Sequence, residues 1–230
     1  TVGIPVYNGG ALLTRAVESL LGQTFADFEL LISDNASEDD TPEICREYVK
    51  KDSRVRYFRQ ETNRGAAANY NFLLDQARAE FFCFAPHDDY WYPRWLEGAV
   101  AVLDAVADAS LAMGTIEFVD RSNTVFAVVS PPWGLDQPES AQRIKHYLET
   151  EITDHIMYGV FRTAALKGFR FGYQQTAPEK AFIFALIMAG KIANSQVMRM
   201  KNHVSFKKPQ ELYEFFQIKK WHWAVVRTHL

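Results

Sequence analysis

Two adjacent carboxylates at the end of an apolar run are the first chemistry this sequence offers. In the stretch Glu80 to Trp91, residues Phe81 to Ala85 read as a strand buried on both faces of a parallel sheet. Pro86 stops the ladder, and His87, Asp88 and Asp89 follow at once. Neighbouring carboxylates repel each other and are costly to desolvate without a positive partner. A divalent cation carrying a diphosphate is one such partner. Mg²⁺ or Mn²⁺ takes one or two protein carboxylates and fills its other positions with phosphate oxygens and water. The alternative is an N-cap, with Asp88 or Asp89 capping a helix that opens near Pro93.

The elements in front of this pair are those that must position it. Val2 to Val6 read as a strand ending in a turn at Tyr7-Asn8-Gly9-Gly10, and Leu12, Leu13, Ala16, Val17, Leu20 and Leu21 give one apolar helix face. Phe28 to Ile32 form a second strand that stops at Ser33-Asp34-Asn35. Asp39 or Asp40 can cap the next helix, with Pro42 in its first turn. A third strand, Val55 to Phe58, closes at Asn63-Arg64-Gly65, and a helix over Ala66 to Ala77 leads into the Phe81 strand. Strands and helices alternating at this spacing imply right-handed crossovers and a parallel sheet.

Ligands of such sheets collect at the carboxyl ends of the strands. Those ends carry Tyr7 and Asn8, Asp34 and Asn35, Asn63 and Arg64, and Asp88 and Asp89. An aromatic face and a carboxylate can hold a base, a guanidinium can hold phosphate, and the acidic pair can hold a metal. A carboxylate at Asp34 could accept the imide proton of uracil or the imino proton of guanine. Each residue alone also reads as a turn former or cap. No Gly-x-Gly-x-x-Gly follows the first strand, and no Gly-x-x-x-x-Gly-Lys-Ser/Thr occurs anywhere.

Gly3-Ile4-Pro5-Val6-Tyr7-Asn8-Gly9, the run Gln23 to Leu30, Ser33-Asp34-Asn35-Ala36-Ser37, Asn63-Arg64-Gly65 and His87-Asp88-Asp89-Tyr90-Trp91 resemble the successive motifs of glycosyltransferase family two. The resemblance is dense to about residue 97 and thinner beyond. It implies a GT-A-like, Rossmann-type α/β/α sandwich with a mixed, mainly parallel sheet, a C-terminal acceptor-binding part and a terminal helix. It also implies an inverting sugar transfer from a nucleotide-diphosphate sugar. By this resemblance Pro5, Tyr7 and Asp34 would hold the base, and Arg64 would sit near the base or phosphates. Asp88 would contact the ribose or sugar, and Asp89 would bind Mn²⁺ or Mg²⁺. His87 stands where the family usually has the first Asp of Asp-x-Asp, so two carboxylates rather than three would meet the metal.

The second half reads as a helix from Trp95 to Val106, strands over Leu111 to Phe118 and Thr124 to Val129, a helix over Glu139 to Tyr147, and a strand over Met157 to Thr163. Trp133, after Pro131 and Pro132, could stack on a sugar or anchor a loop. Gln174 to Lys180 open an apolar helix, Ala181 to Ala189, that should be buried. Its lone first-turn carboxylate, Glu179, suits the helix macrodipole. By resemblance it would instead be the base that deprotonates the acceptor hydroxyl, with Glu151 and Asp154 as rivals. A strand over Ile192 to Met200 precedes His203, which by the same resemblance would reach the metal or the diphosphate, and which otherwise reads as a surface or packed histidine. From Pro209 to His229 the pattern is helical, with Lys219, Lys220 and Arg227 beside aromatics. That face could lie on an anionic membrane, or pack on the domain or on a second subunit.

With 230 residues, 48% hydrophobic and 14% aromatic, the chain suits one large domain with a substantial core. Residues 1–97 would bind the nucleotide sugar, 98–207 the acceptor, and 208–230 would be the terminal helix. A net charge of −3 gives no case for nucleic acid. Cys45 and Cys83 suggest neither a disulfide framework nor a zinc site, and a reducing compartment follows. No apolar run reaches membrane-span length and no signal peptide precedes the first strand. Without a methionine, the chain is expected to lack a few residues in front of Thr1. The donor expected first is a UDP-sugar, then a GDP- or dTDP-sugar. The acceptor would be a carbohydrate or lipid-linked sugar, and the place the cytoplasm or the inner face of the membrane. A nucleotidyltransferase and a non-catalytic sugar-nucleotide-binding domain are the competing functions.

Overall fold

The computed structural model describes residues 1–120, 122–150, 152, 154–172 and 178–203. The expected terminal helix, Gln174 to Ala177 and the rival carboxylate Glu151 lie outside them. In the N-terminal half, strands β1 (Val2–Val6), β2 (Leu30–Asp34), β3 (Val55–Arg59) and β4 (Phe81–Phe84) alternate with helices α1 (Gly10–Leu21), α2 (Thr41–Lys51) and α3 (Ala66–Gln76). All their pairings are parallel, in the order β3-β2-β1-β4. Every residue of β1 and β2 is buried, as expected for strands covered on both faces. Pro5 is tolerated inside β1 because β4 pairs only with Val2 and Gly3 and has diverged before Pro5 needs a partner.

The second half contains β5 (Tyr90–Trp91), α4 (Trp95–Ala105), β6 (Ala109–Val119), β7 (Val125–Val129), α5 (Ser140–Glu149), β8 (Val160–Arg162), α6 (Pro178–Ala189) and β9 (Lys191–His203). It extends the sheet as β4-β8-β6-β9-β5, with β7 on β6, and is mixed rather than parallel: β8 is antiparallel to β4 and β6, and β9 parallel to β6. The β6–β9 register jumps from Met113 opposite Asn194 to Thr115 opposite Arg199. Gly114 sits at that jump, where a Cβ would come within 2.0 Å of the Met198 carbonyl oxygen. The bulge of Ser195 to Met198 rephases the strand and so determines where Asn202 and His203 emerge.

Several expectations are corrected. The acidic pair caps no helix, because β5 intervenes and α4 opens at Trp95 with Arg94 in the cap position. The strand expected over Met157 to Thr163 is only Val160–Arg162, flanked by 3-10 turns at Asp154–Tyr158 and Thr163–Leu166. Trp133 is 5% exposed within the core, an anchor rather than a sugar platform. Helix α6 buries Phe182, Ile183, Leu186 and Ile187 but leaves Met188 at the surface. Cys45 and Cys83 are free and buried. Among the described residues no helix is long and apolar enough to cross a membrane.

Candidate active site

The polar ends of β1 to β3 are bolted to one another. Asn8 turns through positive φ (53°), its N–H donating to Ser37 Oγ at 2.9 Å and its Oδ1 accepting the Glu38 N–H at 2.9 Å. The Gly9 and Gly10 amides both donate to Thr41 Oγ1, at 2.8 and 3.2 Å. Gly9 is required there because a Cβ would come within 2.7 Å of Val6 Cγ2. Asn35 is buried, donating to Asn63 Oδ1 at 2.8 Å and accepting the Arg64 N–H at 3.0 Å. This fixes the backbone of the β3–α3 loop and leaves the exposed Arg64 guanidinium without a partner among the described residues. Tyr7 is 42% exposed, and Pro5 is buried.

Asp34 lies inside this network. It is fully buried, with Oδ1 accepting the Ser37 N–H at 2.7 Å and Oδ2 accepting the Tyr57 hydroxyl at 2.7 Å. The Arg59 guanidinium stands 3.5 Å from Oδ2. Burial, then the bond to Asp34, hold the Tyr57 hydroxyl well above its ordinary range, so it remains a donor. With its carboxylate committed to these partners, Asp34 has less to offer a base than its position suggested. Asp34→Asn is expected to cost about 1–3 kcal/mol in a urea titration while leaving nucleotide preference unchanged. A changed preference at unchanged stability would put Asp34 in contact with the base.

The two carboxylates of the β4 end are treated oppositely. Asp89 is fully buried; Asn202 Nδ2 donates to its two oxygens at 3.2 and 3.1 Å, and the His203 N–H donates to Oδ1 at 3.0 Å. Burial first, then the Asp88 charge, push the Asp89 carboxyl well above the usual carboxylate range, and the bonds from His203 and Asn202 oppose this. Asp89, the residue expected to meet the metal, thus ties the end of β9 to the loop after β4. Asp88 is half-buried, and its carboxylate has no partner among the described residues, while Arg15 Nη2 holds its carbonyl oxygen at 2.7 Å. Both ring nitrogens of His203 are buried without a hydrogen-bond partner. Burial, then Arg15, lower the imidazole to about 4, so it is neutral near pH 7.

A metal can be tested against these groups. Among the described residues no cluster of three or more His, Cys, Asp and Glu could hold one alone. An open carboxylate beside an orphaned neutral imidazole fits a cation that completes its shell with diphosphate oxygens and water. An imidazole ligand favours Mn²⁺ over Mg²⁺.

Glu179 approaches from the other half. It is half-buried in the first turn of α6, with no hydrogen-bond or ion-pair partner among the described residues. Its rival Asp154 is occupied by the Tyr147 hydroxyl at 2.9 Å and Lys180 Nζ at 3.4 Å. Tyr70, on α3, marks where the halves meet. Burial raises its hydroxyl to about 12, and the charges of Asp89, Asp88 and Glu179 all add to that rise. The neighbouring Tyr158 hydroxyl opposes that rise. Sequence reasoning missed Tyr70, Tyr158, Arg15 and Asn202. Their segments gave them no role by themselves, and only the fold brings them to the acidic pair.

TarS from S. aureus, solved with UDP, has the same fold over 95% of this chain and 63% of its own, with a TM-score of 0.67 and 24% identity. A mannosyltransferase from Pyrobaculum calidifontis, solved with GDP-Man and Mn²⁺, matches over 95% of this chain and 59% of its own, with a TM-score of 0.65 and 18% identity. The fold is therefore the GT-A type. In sequence the chain is 28% identical over 170 residues to the putative glycosyltransferase EpsH of Bacillus subtilis, covering 74% of this chain and 48% of that one. It is 36% identical over 113 residues to a Campylobacter jejuni GalNAc(5)-diNAcBac-PP-undecaprenol beta-1,3-glucosyltransferase, covering 49% of this chain and 35% of that one. The chain thus spans less than half the length of these curated relatives. The model of glycosyl transferase family 2 matches residues 1–169, and the chain belongs to that family.

Proposed function

We propose that the chain transfers a sugar from a nucleotide-diphosphate sugar to an acceptor hydroxyl with inversion, with Glu179 as general base. The observation that carries this reading is the pair of carboxylates without a partner among the described residues, Asp88 and Glu179, contributed by opposite halves and both near Tyr70. Residues 1–97 hold the donor and 98–207 the acceptor. The exposed Tyr7 ring offers a face to the base, beside the buried Pro5 of the same strand end, and the Arg64 guanidinium, without a partner among the described residues, offers donors to base or phosphate. Asp34 supports this pocket from below through Ser37 and Tyr57.

Asp88 and His203 would hold Mn²⁺ or Mg²⁺; when bound, the cation neutralises charge on the departing diphosphate. Asp89 acts through position, holding Asn202 and the His203 backbone at the end of β9 near the loop that carries Asp88. Glu179 accepts the acceptor's proton as its oxygen attacks the anomeric carbon from the face opposite the diphosphate. A neutral hydroxyl is a weak nucleophile, so both proton removal and positioning contribute.

A UDP-sugar is the first donor to test and a GDP-sugar the second, following the nucleotides of the two structural neighbours. The acceptor class follows the undecaprenol-linked saccharide of the Campylobacter jejuni relative. Incubation of the chain with donor, Mn²⁺ and a lipid-linked saccharide is expected to release nucleoside diphosphate in proportion to a new glycoside of inverted anomeric configuration. Release of pyrophosphate would make it a nucleotidyltransferase, and binding without product a sugar-nucleotide-binding domain.

A further inference from the structure

Phe171, ahead of α6 in the chain, is held by a side chain of the donor half. Asn71, on α3, donates from Nδ2 to the Phe171 carbonyl oxygen at 2.9 Å and accepts the Phe171 N–H at Oδ1 at 2.8 Å. This bidentate amide-to-backbone pair satisfies both polar groups of a buried residue, as a neighbouring strand would. One turn further along α3, Asp75 pairs with Arg170.

The Phe171 ring carries the restraint onward. It stacks on Phe182 of α6 at 5.3 Å between centroids and 17° between planes. Phe182 lies three residues after Glu179, so the two share one helix face. The same rings meet Phe84, the last residue of β4, at 5.9 Å for Phe171 and 5.8 Å for Phe182. Tyr70 covers the cluster, 4.7 Å from Phe84 and 5.3 Å from Phe171. Asp88 stands four residues beyond Phe84 in one direction and Glu179 three before Phe182 in the other. One aromatic cluster therefore links the strand that leads to Asp88 with the helix that carries Glu179, and within it Phe171 is held by a side chain.

We propose that Asn71 is a positioning residue for Glu179. By clamping the Phe171 backbone it fixes the ring on which Phe182 rests, and so fixes where α6 presents its carboxylate to the acceptor hydroxyl. This rests on the reading of Glu179 as the base. It assigns α3 a second duty: its N-terminal loop carries Arg64 toward the donor, and its body aligns the base, so one helix sets both substrates relative to each other. A small displacement of a base is costly, since reacting atoms about 1 Å out of place can lose roughly 100-fold.

The test is a double-mutant cycle on the full chain, reading turnover, donor affinity and melting temperature on each preparation. Asn71→Ala is expected to lower kcat by roughly 10- to 100-fold, with UDP affinity in Mn²⁺ unchanged. In the Glu179→Gln background the same substitution is expected to cost less than about twofold, because there is no base left to misplace. Phe171→Leu keeps the backbone clamp but removes the stacked ring; it is expected to follow the same pattern and serves if Asn71→Ala folds poorly. Equal losses in both backgrounds would overturn the proposal and leave Asn71 a purely structural clamp. Full turnover by Glu179→Gln alone would sink the base reading, and the positioning role with it.

Discussion

Glu179→Gln is expected to turn over roughly 10²–10⁴-fold more slowly, the usual loss when a positioned general base is removed. Glutamine keeps the length, the shape and the first-turn position of the side chain but cannot take a proton. Donor affinity is expected to be untouched, because the groups proposed to hold the donor come from β1, β3, β4 and β9 rather than α6. The absence of a hydrogen-bond or ion-pair partner for Glu179 among the described residues makes the comparison clean, since no ion pair is broken with the base. The competing account is the helix macrodipole, in which a first-turn carboxylate contributes about 0.3–1 kcal/mol of stability and nothing to chemistry. Melting temperature and nucleoside diphosphate release, measured on one preparation with acceptor present, separate the two. A variant that melts lower yet turns over normally removes Glu179 from the mechanism. Asp154 is then a poor substitute, being already engaged by Tyr147 and Lys180.

The parts of this fold legible in the sequence are those encoded locally. β1, β2 and β4 are mostly apolar runs closed by Asn, Asp or Pro, and α1 and α2 each have one apolar face, so their type and order follow from short-range patterns. What escaped was long-range. Two residues are too few for β5 to announce itself, and it exists because β9 offers Lys201 and Met200 as partners across more than a hundred residues. The same return of β9 brings Asn202 and His203 to Asp89, a contact no local spacing encodes. The mixed second half is likewise a product of β8 and β9 returning to strands already laid down.

The site followed the same division. Sequence located the acidic pair and the four strand ends but could not say which carboxylates face the solvent. The chain turns at His87 and Asp88, with the Asp89 N–H reaching back to the Pro86 carbonyl, so the two neighbours part: Asp89 is buried against Asn202 and Asp88 is left half-buried. Asp34 illustrates a related limit. A carboxylate at a strand end serves a ligand or the turn equally well by type, and Ser37, Tyr57 and Arg59 had to be seen around it.

Asp88→Asn is expected to abolish the coupling between metal and nucleotide while leaving the fold intact. In the unaltered chain, Mn²⁺ is expected to tighten nucleoside diphosphate binding by about 5- to 150-fold, a coupling of about 1–3 kcal/mol, because each supplies the other's missing charge. The Asp88 carboxylate has no partner to lose among the described residues, so its amide variant is expected to melt within about 0.5 kcal/mol of the parent. Asp89→Asn is expected to behave in the opposite way. An amide placed there turns one donor toward Asn202 Nδ2 or the His203 N–H, leaving a buried group unsatisfied at a cost of about 1–3 kcal/mol. In the fraction that stays folded, Asp88 is intact and the coupling persists, weakened only as far as His203 shifts. Titrating UDP with and without Mn²⁺ into both variants, beside a denaturant melt of each, reads the two properties separately. Coupling that survives in Asp88→Asn but disappears in a stable Asp89→Asn would return the metal to Asp89, and equal UDP affinity with and without Mn²⁺ in the parent chain would remove the cation from this site.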